Sequence, residues 1–176
     1  MNNWRRIGRE TLHNIGRRVI VGRRFRESGG GEIDFALHLE KDTVCAMVVK
    51  PDHKVVLVRQ FRPGPETILD EIPGGAIEDG ENPLNATRRE VLEEVGYQGE
   101  LISLGRSFTC AYSTRIRHHF LMLKAIRVSS PHPDPDEQEQ GTEVVIKTRS
   151  AFIDQVEQGL LTDGETAYRA FRHLGW

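Results

Sequence analysis

Residues 71–97 constrain the fold of this chain more than any other segment, because they join a glycine-rich loop to a helix that is marked at both ends. The loop carries Pro73-Gly74-Gly75, and prolines and glycines together disfavour regular structure. Asn82 is a favourable N-cap residue, and Pro83 suits the first helical position. Gly96 suits the position just after the last helical residue. The sequence therefore predicts a capped helix that starts directly after an irregular loop.

Three glutamates share one broad face of this predicted helix. Glu90 lies three residues before Glu93 and four before Glu94, and residues at these spacings are neighbours on a helix surface. Like charges so placed repel by roughly 0.2–0.5 kcal/mol per pair in an isolated helix. A hard divalent cation would explain the crowding, because Mg²⁺ prefers carboxylate, carbonyl and water oxygens. The alternative is an acidic helix face that is only solvated.

The rest of the chain alternates between strand and helix patterns. A nearly continuous apolar run at residues 43–49 indicates a strand buried on both faces, and the next strand follows it as a hairpin. Strands together with a few packed helices indicate a mixed α/β domain built in layers. The predicted strands are residues 18–24, 33–39, 43–49, 55–58, 101–104, 119–126 and 144–146, the later helices are 150–158 and 164–173, and residues 63–82 and 129–141 are predicted to be mostly loop.

Composition narrows the class of protein. The chain has 176 residues and a formal net charge of −2, so it fits one domain and lacks the basic field of a non-specific nucleic-acid binder. No run approaches the ~18 apolar residues of a membrane-spanning helix, and the N-terminus lacks an apolar signal core. Cys45 and Cys110 are predicted to be buried free thiols, which fits a reducing compartment. We therefore expect a cytoplasmic protein without a membrane partner.

The segment resembles the Nudix box. In that motif a glycine is followed after five residues by a glutamate, and after seven more by an Arg-Glu pair that opens the acidic helix face. Every fixed position of the box is matched, and Tyr97 stands where an aliphatic residue is usual. The matching residues are Gly75, Glu81, Arg89, Glu90, Val91, Glu93, Glu94, Gly96 and Tyr97. The resemblance implies a Nudix α/β/α sandwich with a mixed β-sheet, and hydrolysis of nucleoside diphosphates linked to another group.

The resemblance also implies a role for each box residue. Arg89 matches the arginine that orients the glutamates, and Glu81 matches a structural glutamate. Gly75 allows the backbone to approach a ligand closely, and Gly96 belongs to the structural motif. The implied ligands of Mg²⁺, with Mn²⁺ as a substitute ion, are three carboxylates and one carbonyl: Glu90, Glu93, Glu94 and Gly74.

The flanking segments resemble the ADP-sugar pyrophosphatase branch, which is best known for ADP-ribose. Residues 58–62 resemble its "RQ-aromatic-R" strand, residues 71–75 its entry to the box, and residues 157–166 its "G-x-x-x-D…T" ending. The resemblance implies one Nudix hydrolase domain over residues 1–176. Within it, residues 41–176 form the core, and additional N-terminal strands in residues 1–40 help to form a homodimer.

Residues outside the box, together with Gly75 and Glu93 of the box, are expected to contact the substrate or activate water. One departure limits the substrate assignment, because residues 110–115 replace the Pro-Gly pair that ADP-ribose enzymes often show after the box. The general base is expected to be Glu139, with Glu137 second and Glu93 third. The expected substrate contacts are Arg62, Arg59, Gly75, Tyr112 and Arg115. His118 and His119 are adjacent on a strand and are expected to play no catalytic part.

The resulting expectation is magnesium-dependent hydrolysis of a small-molecule nucleotide sugar. ADP-ribose is the favoured substrate, giving a nucleoside monophosphate and a sugar phosphate. GDP-mannose, another nucleotide sugar or a dinucleotide cofactor is the alternative within the same chemistry. A non-catalytic sensor of ADP-ribose-type ligands is the alternative of another class, although such sensors tend to lack box glutamates and this chain has them all.

Overall fold

The computed structural model describes residues 3–16, 18–132 and 142–176. Within these residues lie nine strands and three helices. The strands are β1 Arg5–Ile15, β2 Arg18–Arg26, β3 Glu32–Leu39, β4 Thr43–Val49, β5 Val55–Arg62, β6 Thr67–Glu71, β7 Tyr97–Phe108, β8 Ile116–Arg127 and β9 Glu143–Lys147, and the helices are α1 Pro83–Val95, α2 Arg149–Glu157 and α3 Gly164–Leu174.

A first compact unit consists of the described residues up to Asp42 together with residues 107–117. Its strands form an antiparallel sheet in the order β1-β2-β3. Residues 107–117 join the edge at β3, where the Thr114 N–H donates to the His38 carbonyl at 2.9 Å. The sequence did not predict β1, because ten of its eleven residues are exposed and carry no alternating apolar pattern. Pairing with β2 creates this strand.

The second unit, residues 43–106 and 118–176, holds a six-stranded sheet. The strand order is β6-β5-β4-β8-β7, and β9 pairs with β5. Because β5 pairs with β4, β6 and β9, it is the most connected strand of this sheet. The predicted hairpin of β4 and β5 is confirmed. That both units form a single domain over residues 1–176 stays a prediction.

Alternating side chains of β4 and β5 divide the core of the second unit into two layers. Val44, Ala46 and Val48 pack with Val91 and Val95 of α1 on one face. On the other face, the intervening β4 residues pack with α2 and α3; this cluster includes Cys45, Met47, Val49, Phe152, Ala167 and Ala170. Since a strand buried on both faces must be apolar throughout, the prediction for residues 43–49 is confirmed. Helices on both faces of a mixed sheet confirm the α/β/α sandwich class.

The prediction for residues 63–82 is incomplete, and the prediction for Cys110 is wrong. Residues 67–71 form β6 inside a segment that is otherwise irregular as predicted, because β5 supplies a pairing partner for all five residues. Cys110 is exposed, whereas Cys45 is buried as expected. Cys110 follows β7 in an irregular connection that provides no apolar layer to cover it. None of the three helices in the described part of the chain combines the length and apolar composition needed to cross a bilayer.

Candidate active site

The capped ends of α1 fix which residues face the sheet. The Asn82 side chain accepts a hydrogen bond from the Asn85 N–H at 2.9 Å, and Pro83 occupies the first turn. The helix ends at Gly96, whose φ of 74° is left-handed and whose N–H donates to the Leu92 carbonyl. With both ends set as predicted, α1 buries Ala86, Glu90, Val91, Glu94 and Val95 against the sheet. Two glutamates therefore lie on the buried side of the helix.

The loop before α1 continues from the end of β6 and runs alongside β4 without forming a regular strand. The Val44 N–H donates to the Gly75 carbonyl at 2.9 Å. The Ala46 N–H donates to the Pro73 carbonyl at 3.0 Å. In an antiparallel arrangement, the residue between two such bonded residues turns its own N–H and C=O away from the partner strand. The polar backbone groups of Gly74 therefore point away from β4.

Glu94 lies on the side to which Gly74 points. The Gly74 N–H donates to Oε2 of Glu94 at 2.8 Å. Because the N–H and C=O of one extended residue point in the same direction, the Gly74 carbonyl is directed to the same side as Glu94. The absence of a side chain at this position is required, since a Cβ on Gly74 would lie 2.2 Å from the Val44 carbonyl oxygen and 2.7 Å from the Cys45 Cα.

Glu90 packs against the neighbouring glycine. A Cβ on Gly75 would lie 2.5 Å from the Glu90 carboxylate. Glu90 is 9% exposed and Glu94 is 4% exposed. An acidic helix face that is only solvated is therefore ruled out for these two residues, although Glu93 is more exposed, with 27% of its side chain accessible. The glycine pair and the two buried carboxylates form one packed arrangement.

Arg89 is the counter-ion of this acidic group. Its Nη1 donates to Glu90 Oε1 at 2.9 Å and to Glu93 Oε2 at 3.0 Å. Its Nη2 donates to Glu81 Oε2 and to the Ala76 carbonyl, both at 3.0 Å. The hydrogen bonds that Arg89 donates to Glu81 are the main cause of the raised pKa of Arg89, and those same bonds hold the pKa of Glu81 below its ordinary value. Arg89 therefore stays charged and braces the loop against the helix.

The chemistry of this group fits a hard divalent cation. Glu81, Glu90 and Glu93 all pair with the single Arg89 guanidinium, and Glu94 accepts from the Gly74 N–H, so the carboxylate charge exceeds the charge of Arg89. Carboxylate and carbonyl oxygens are the ligands that Mg²⁺ takes, usually together with several waters. Among the described residues, no three His, Cys, Asp or Glu side chains converge closely enough to hold a metal by themselves. An ion here would therefore need further oxygens from water, the Gly74 carbonyl or a ligand.

The two arginines of β5 pair with acidic residues of β6. Arg59 donates to both carboxylate oxygens of Asp70, at 2.7 and 3.1 Å. The Nε of Arg62 donates to Oε2 of Glu71. Their side chains remain 43% and 37% exposed. The structure thus places both predicted substrate contacts in internal ion pairs at the surface of the second unit.

Other predicted site residues lie elsewhere. Tyr112 and Arg115 belong to the first unit, where the Arg115 Nη2 donates to Glu40 Oε1 at 2.8 Å and Tyr112 lies 6.4 Å from the Phe35 ring. Glu137 and Glu139 lie outside the described residues. His119 is fully buried and its Nδ1 lies 2.7 Å from Thr166 Oγ1; that it plays no catalytic part stays a prediction.

Sequence reasoning missed the acidic residues that pair with the two arginines of β5. Asp70 and Glu71 were not assigned a role, and Thr162, which donates to Glu71 through both its N–H and its hydroxyl, lies 91 residues away. The one available signal was the resemblance of residues 71–75 and 157–166 to conserved features of one enzyme branch. That resemblance identified both segments but did not indicate that they touch.

Comparison with known proteins identifies the family of this chain. The NUDIX domain model matches residues 39–156, more than half of the chain. An ADP-ribose pyrophosphatase of Bacillus subtilis (strain 168) is 32% identical over 127 residues, which are 71% of this chain and 68% of that protein. An ADP-sugar pyrophosphatase of Mus musculus is 53% identical over 47 residues, which are 27% of this chain and 22% of that protein.

A solved structure supports the fold. The crystal structure of an ADP compounds hydrolase superposes with a TM-score of 0.75, covering 97% of this chain and 95% of that one, at 17% sequence identity. At that identity the likeness concerns the fold. The residues that could carry chemistry are those of the acidic group on α1 and the loop before it.

Proposed function

The chain belongs to the NUDIX family and is a Nudix hydrolase related to ADP-ribose pyrophosphatases; on this premise we propose that it hydrolyses the diphosphate bridge of a nucleoside diphosphate sugar, with ADP-ribose as the substrate, in a magnesium-dependent reaction. The observation that carries the proposal is the burial of Glu90 and Glu94 against the Gly74–Gly75 loop, with Arg89 paired to Glu90. Buried charged groups in proteins are normally paired with an opposite charge or bound to a metal ion.

The proposed metal ligands are Glu90, Glu93, Glu94 and the Gly74 carbonyl. Bound Mg²⁺, or Mn²⁺ in its place, would neutralise charge on the phosphoryl oxygens and lower the pKa of coordinated water. The Gly74 N–H holds one oxygen of Glu94, and Arg89 holds one oxygen of Glu90 and one of Glu93. The Gly74 N–H thus orients Glu94, and Arg89 orients both Glu90 and Glu93.

The proposed reaction is attack of water on one phosphorus of the P–O–P bridge. The new P–O bond forms as the bridging P–O bond breaks, and the products are a nucleoside monophosphate and a sugar phosphate. We assign the proton of the attacking water to Glu139, with Glu137 as the second choice and Glu93 as the third. Only Glu93 lies within the described residues, where its Oε2 accepts from Arg89 at 3.0 Å.

Positive side chains have to balance the charge of the diphosphate. Arg62 is proposed as a contact, since one edge of its guanidinium pairs with Glu71 and its side chain is 37% exposed. Arg59 is a weaker candidate, because Asp70 takes two of its nitrogens and Glu143 lies 3.6 Å from the third. Tyr112, Arg115 and Gly75 remain predicted contacts. A pyrophosphate near four carboxylates would be repelled without such cations.

The alternatives differ in substrate or in class. GDP-mannose or another nucleotide-linked compound would undergo the same bond cleavage. A non-catalytic sensor of ADP-ribose-type ligands would bind without turnover. The full set of box glutamates favours the enzyme, because a sensor has no need for a buried acidic group that binds a cation.

The experiment that tests the proposal is a substrate screen with the purified chain in magnesium. ADP-ribose, GDP-mannose, NADH and dinucleoside polyphosphates are incubated with the protein, and phosphate released by an added phosphatase is measured. We expect release with ADP-ribose, lost when EDTA is added. Binding of ADP-ribose without any phosphate release would identify a sensor.

Glu94→Gln tests the metal assignment. An amide oxygen can still accept the Gly74 N–H, so we expect near-normal folding, whereas loss of the carboxylate charge should lower kcat by roughly 10²–10³-fold, as for other removed electrostatic groups. Full magnesium-dependent activity in this variant would refute the ligand assignment.

We extend the proposal to a homodimer formed through residues 1–40. Leu12 and Ile15 on β1 are 60% and 69% exposed, and apolar side chains so placed gain from association. Light scattering on the protein as it elutes from a gel-filtration column measures its molecular mass. A mass of one chain at micromolar concentration would contradict the dimer. The cytoplasmic location stays a prediction.

A further inference from the structure

One carboxylate outside the acidic group of α1 is more completely buried than any member of that group. Glu71, the last residue of β6, is 0% exposed. Its Oε2 accepts from the Arg62 Nε and, at 3.4 Å, from the Gln60 side-chain amide. Its Oε1 accepts from both the N–H and the hydroxyl of Thr162. Four donors from two distant parts of the second unit therefore converge on one side chain.

Stability alone does not explain this arrangement. A buried ion pair contributes little compared with apolar residues of similar volume, because both charges lose their hydration. The Arg62 partner is not buried to the same extent, since 37% of its side chain is accessible. A buried carboxylate that holds a partly exposed guanidinium is suited to fixing the direction in which that guanidinium points.

The hydrogen bond from Glu71 fixes one edge of Arg62. It engages Nε, and among the described residues no partner is recorded for the two terminal nitrogens of Arg62. Because the guanidinium is planar, a fixed Nε–H also fixes the plane and direction of the terminal nitrogens. These two nitrogens form the pair of donors that can bind phosphate oxygens side by side.

Glu71 also sets the start of the loop that carries the glycines. It lies two residues before Pro73, and its bonds to Thr162 anchor this point to the segment between α2 and α3. The backbone that follows pairs with β4 and presents Gly74 to Glu94. One side chain thus fixes both a phosphate-binding cation and the entry to the loop beside the acidic group.

We propose that Glu71, anchored by Thr162, is a positioning residue that holds the Arg62 guanidinium with its terminal nitrogens directed to the substrate diphosphate. This inference rests on the proposed function. It assigns no contact between Glu71 and the substrate. Arg62 is the residue that touches phosphate, and Glu71 acts through Arg62.

The test is a double-mutant cycle on kcat and KM for ADP-ribose in magnesium. Glu71→Gln puts an amide among four donors, so the Arg62 side chain loses its fixed direction. We expect kcat/KM to fall by roughly 10–100-fold, as when other residues that orient a ligand-binding side chain are changed. We expect a similar fall for Arg62→Ala and no further fall when the two are combined. Effects that multiply in the double variant would overturn the proposal.

A stability control separates positioning from general loss of structure. Phe152→Leu removes packing from a fully buried residue of the other core layer. It should lower the melting temperature while leaving kcat/KM within about twofold of wild type. A comparable loss of kcat/KM in this control would mean that destabilisation by itself explains the Glu71 result and would overturn the proposal.

A second pair of variants keeps the test decisive where Glu71→Gln does not fold. Thr162→Val has nearly the same shape as threonine but lacks the hydroxyl that donates to Glu71, whereas Thr162→Ser keeps it. We expect a fall of roughly 3–10-fold in kcat/KM for the valine variant, a fraction of the effect of losing an orienting side chain. The serine variant should match wild type, and the fall should disappear in an Arg62→Ala background. A valine variant equal to serine overturns the inference.

The outcomes distinguish this inference from the proposed function. A wild-type chain that hydrolyses none of the nucleotide-linked substrates overturns both. A wild-type chain that hydrolyses ADP-ribose, with Arg62→Ala impaired but Glu71→Gln unaffected, leaves the function standing and overturns the role of Glu71 alone.

Discussion

Replacing Gly75 with alanine should separate activity from stability in this protein. A Cβ at this position would lie 2.5 Å from the carboxylate carbon and both oxygens of Glu90, and the glycine φ lies outside the left-handed region. The backbone can therefore accept alanine. The conflict is with the far end of one flexible side chain, so Glu90 must move while the loop can stay.

The size of the movement follows from the contact distance. An ordinary contact of a Cβ begins at 3.4 Å, so the Glu90 carboxylate has to retreat by about 0.9 Å. A misplacement of ~1 Å in a catalytic arrangement lowers activity by roughly 10²-fold. The folded state loses about 1.5 kcal/mol if the charge-assisted bond from Arg89 to Glu90 is broken, and regains about 0.4–1 kcal/mol because alanine restricts the unfolded chain. The net loss of stability is therefore about 1 kcal/mol or less.

The assay measures kcat/KM for ADP-ribose in magnesium together with the melting temperature. We expect Gly75→Ala to lose about 100-fold in kcat/KM while melting within about 4 °C of wild type, since 1 kcal/mol corresponds to roughly 2–4 °C in a chain of this size. Gly29→Ala is the matched control. A Cβ at Gly29 would meet nothing closer than 3.9 Å, so both quantities should stay at their wild-type values.

Gly74→Ala, in contrast, should lower the stability of the fold. Here the Cβ would meet backbone, 2.2 Å from the Val44 carbonyl oxygen, so the loop must separate from β4. Overpacking and two broken backbone hydrogen bonds together should destabilise the fold by roughly 3–5 kcal/mol, which lowers the melting temperature by roughly 6–20 °C.

If Gly75→Ala retained wild-type kcat/KM, the position of Glu90 would not matter to turnover and the proposed metal site would be refuted.

Three further predictions concern titration, thiol exposure and proton transfer. Hydrogen bonds from Arg89 lower the pKa of Glu81 from its ordinary value of 4.5, so this ion pair stabilises the fold above that pH and the contribution is lost as pH falls through the lower folded-state pKa. Glu81→Gln should therefore show a flatter fall of melting temperature below about pH 5, and an unchanged slope would contradict the assignment. In the native protein a chromogenic thiol reagent should label Cys110 but not Cys45, and denaturant should expose both; rapid labelling of two thiols before unfolding would show that Cys45 is accessible. Glu139→Gln should lower kcat by roughly 10²–10⁴-fold with an unchanged melting temperature, and normal turnover would assign the base to another residue.

Local signals in the sequence predicted the parts of the fold that depend on neighbouring residues. Asn82, Pro83 and Gly96 mark the ends of α1 because capping acts within one turn. The run of residues 43–49 indicated a strand covered on both faces because that burial requires apolar side chains throughout. The spacing of Glu90 and Glu94 identified the acidic group, because residues four apart are neighbours on a helix surface.

Strands that depend on a partner were not predictable in the same way. β1 has no apolar alternation and β6 lies among glycines and prolines, so each exists because a neighbouring strand supplies hydrogen bonds. Strand pairing depends on which segments meet as well as on the residues themselves. The exposure of Cys110 has the same origin, because it depends on which layers cover that connection.

By itself, the sequence determined the chemical identity of the site: a capped helix with glutamates at fixed spacings after a glycine pair. Tertiary structure alone decided which of those glutamates are buried, why Gly74 admits no side chain and one at Gly75 would displace Glu90, and that Glu71 joins Arg62 to Thr162, which lies 91 residues after Glu71. The physical reason is one of range. Caps and helical spacing act over a few residues, whereas close approach, burial and convergent hydrogen bonds arise only when distant segments pack together.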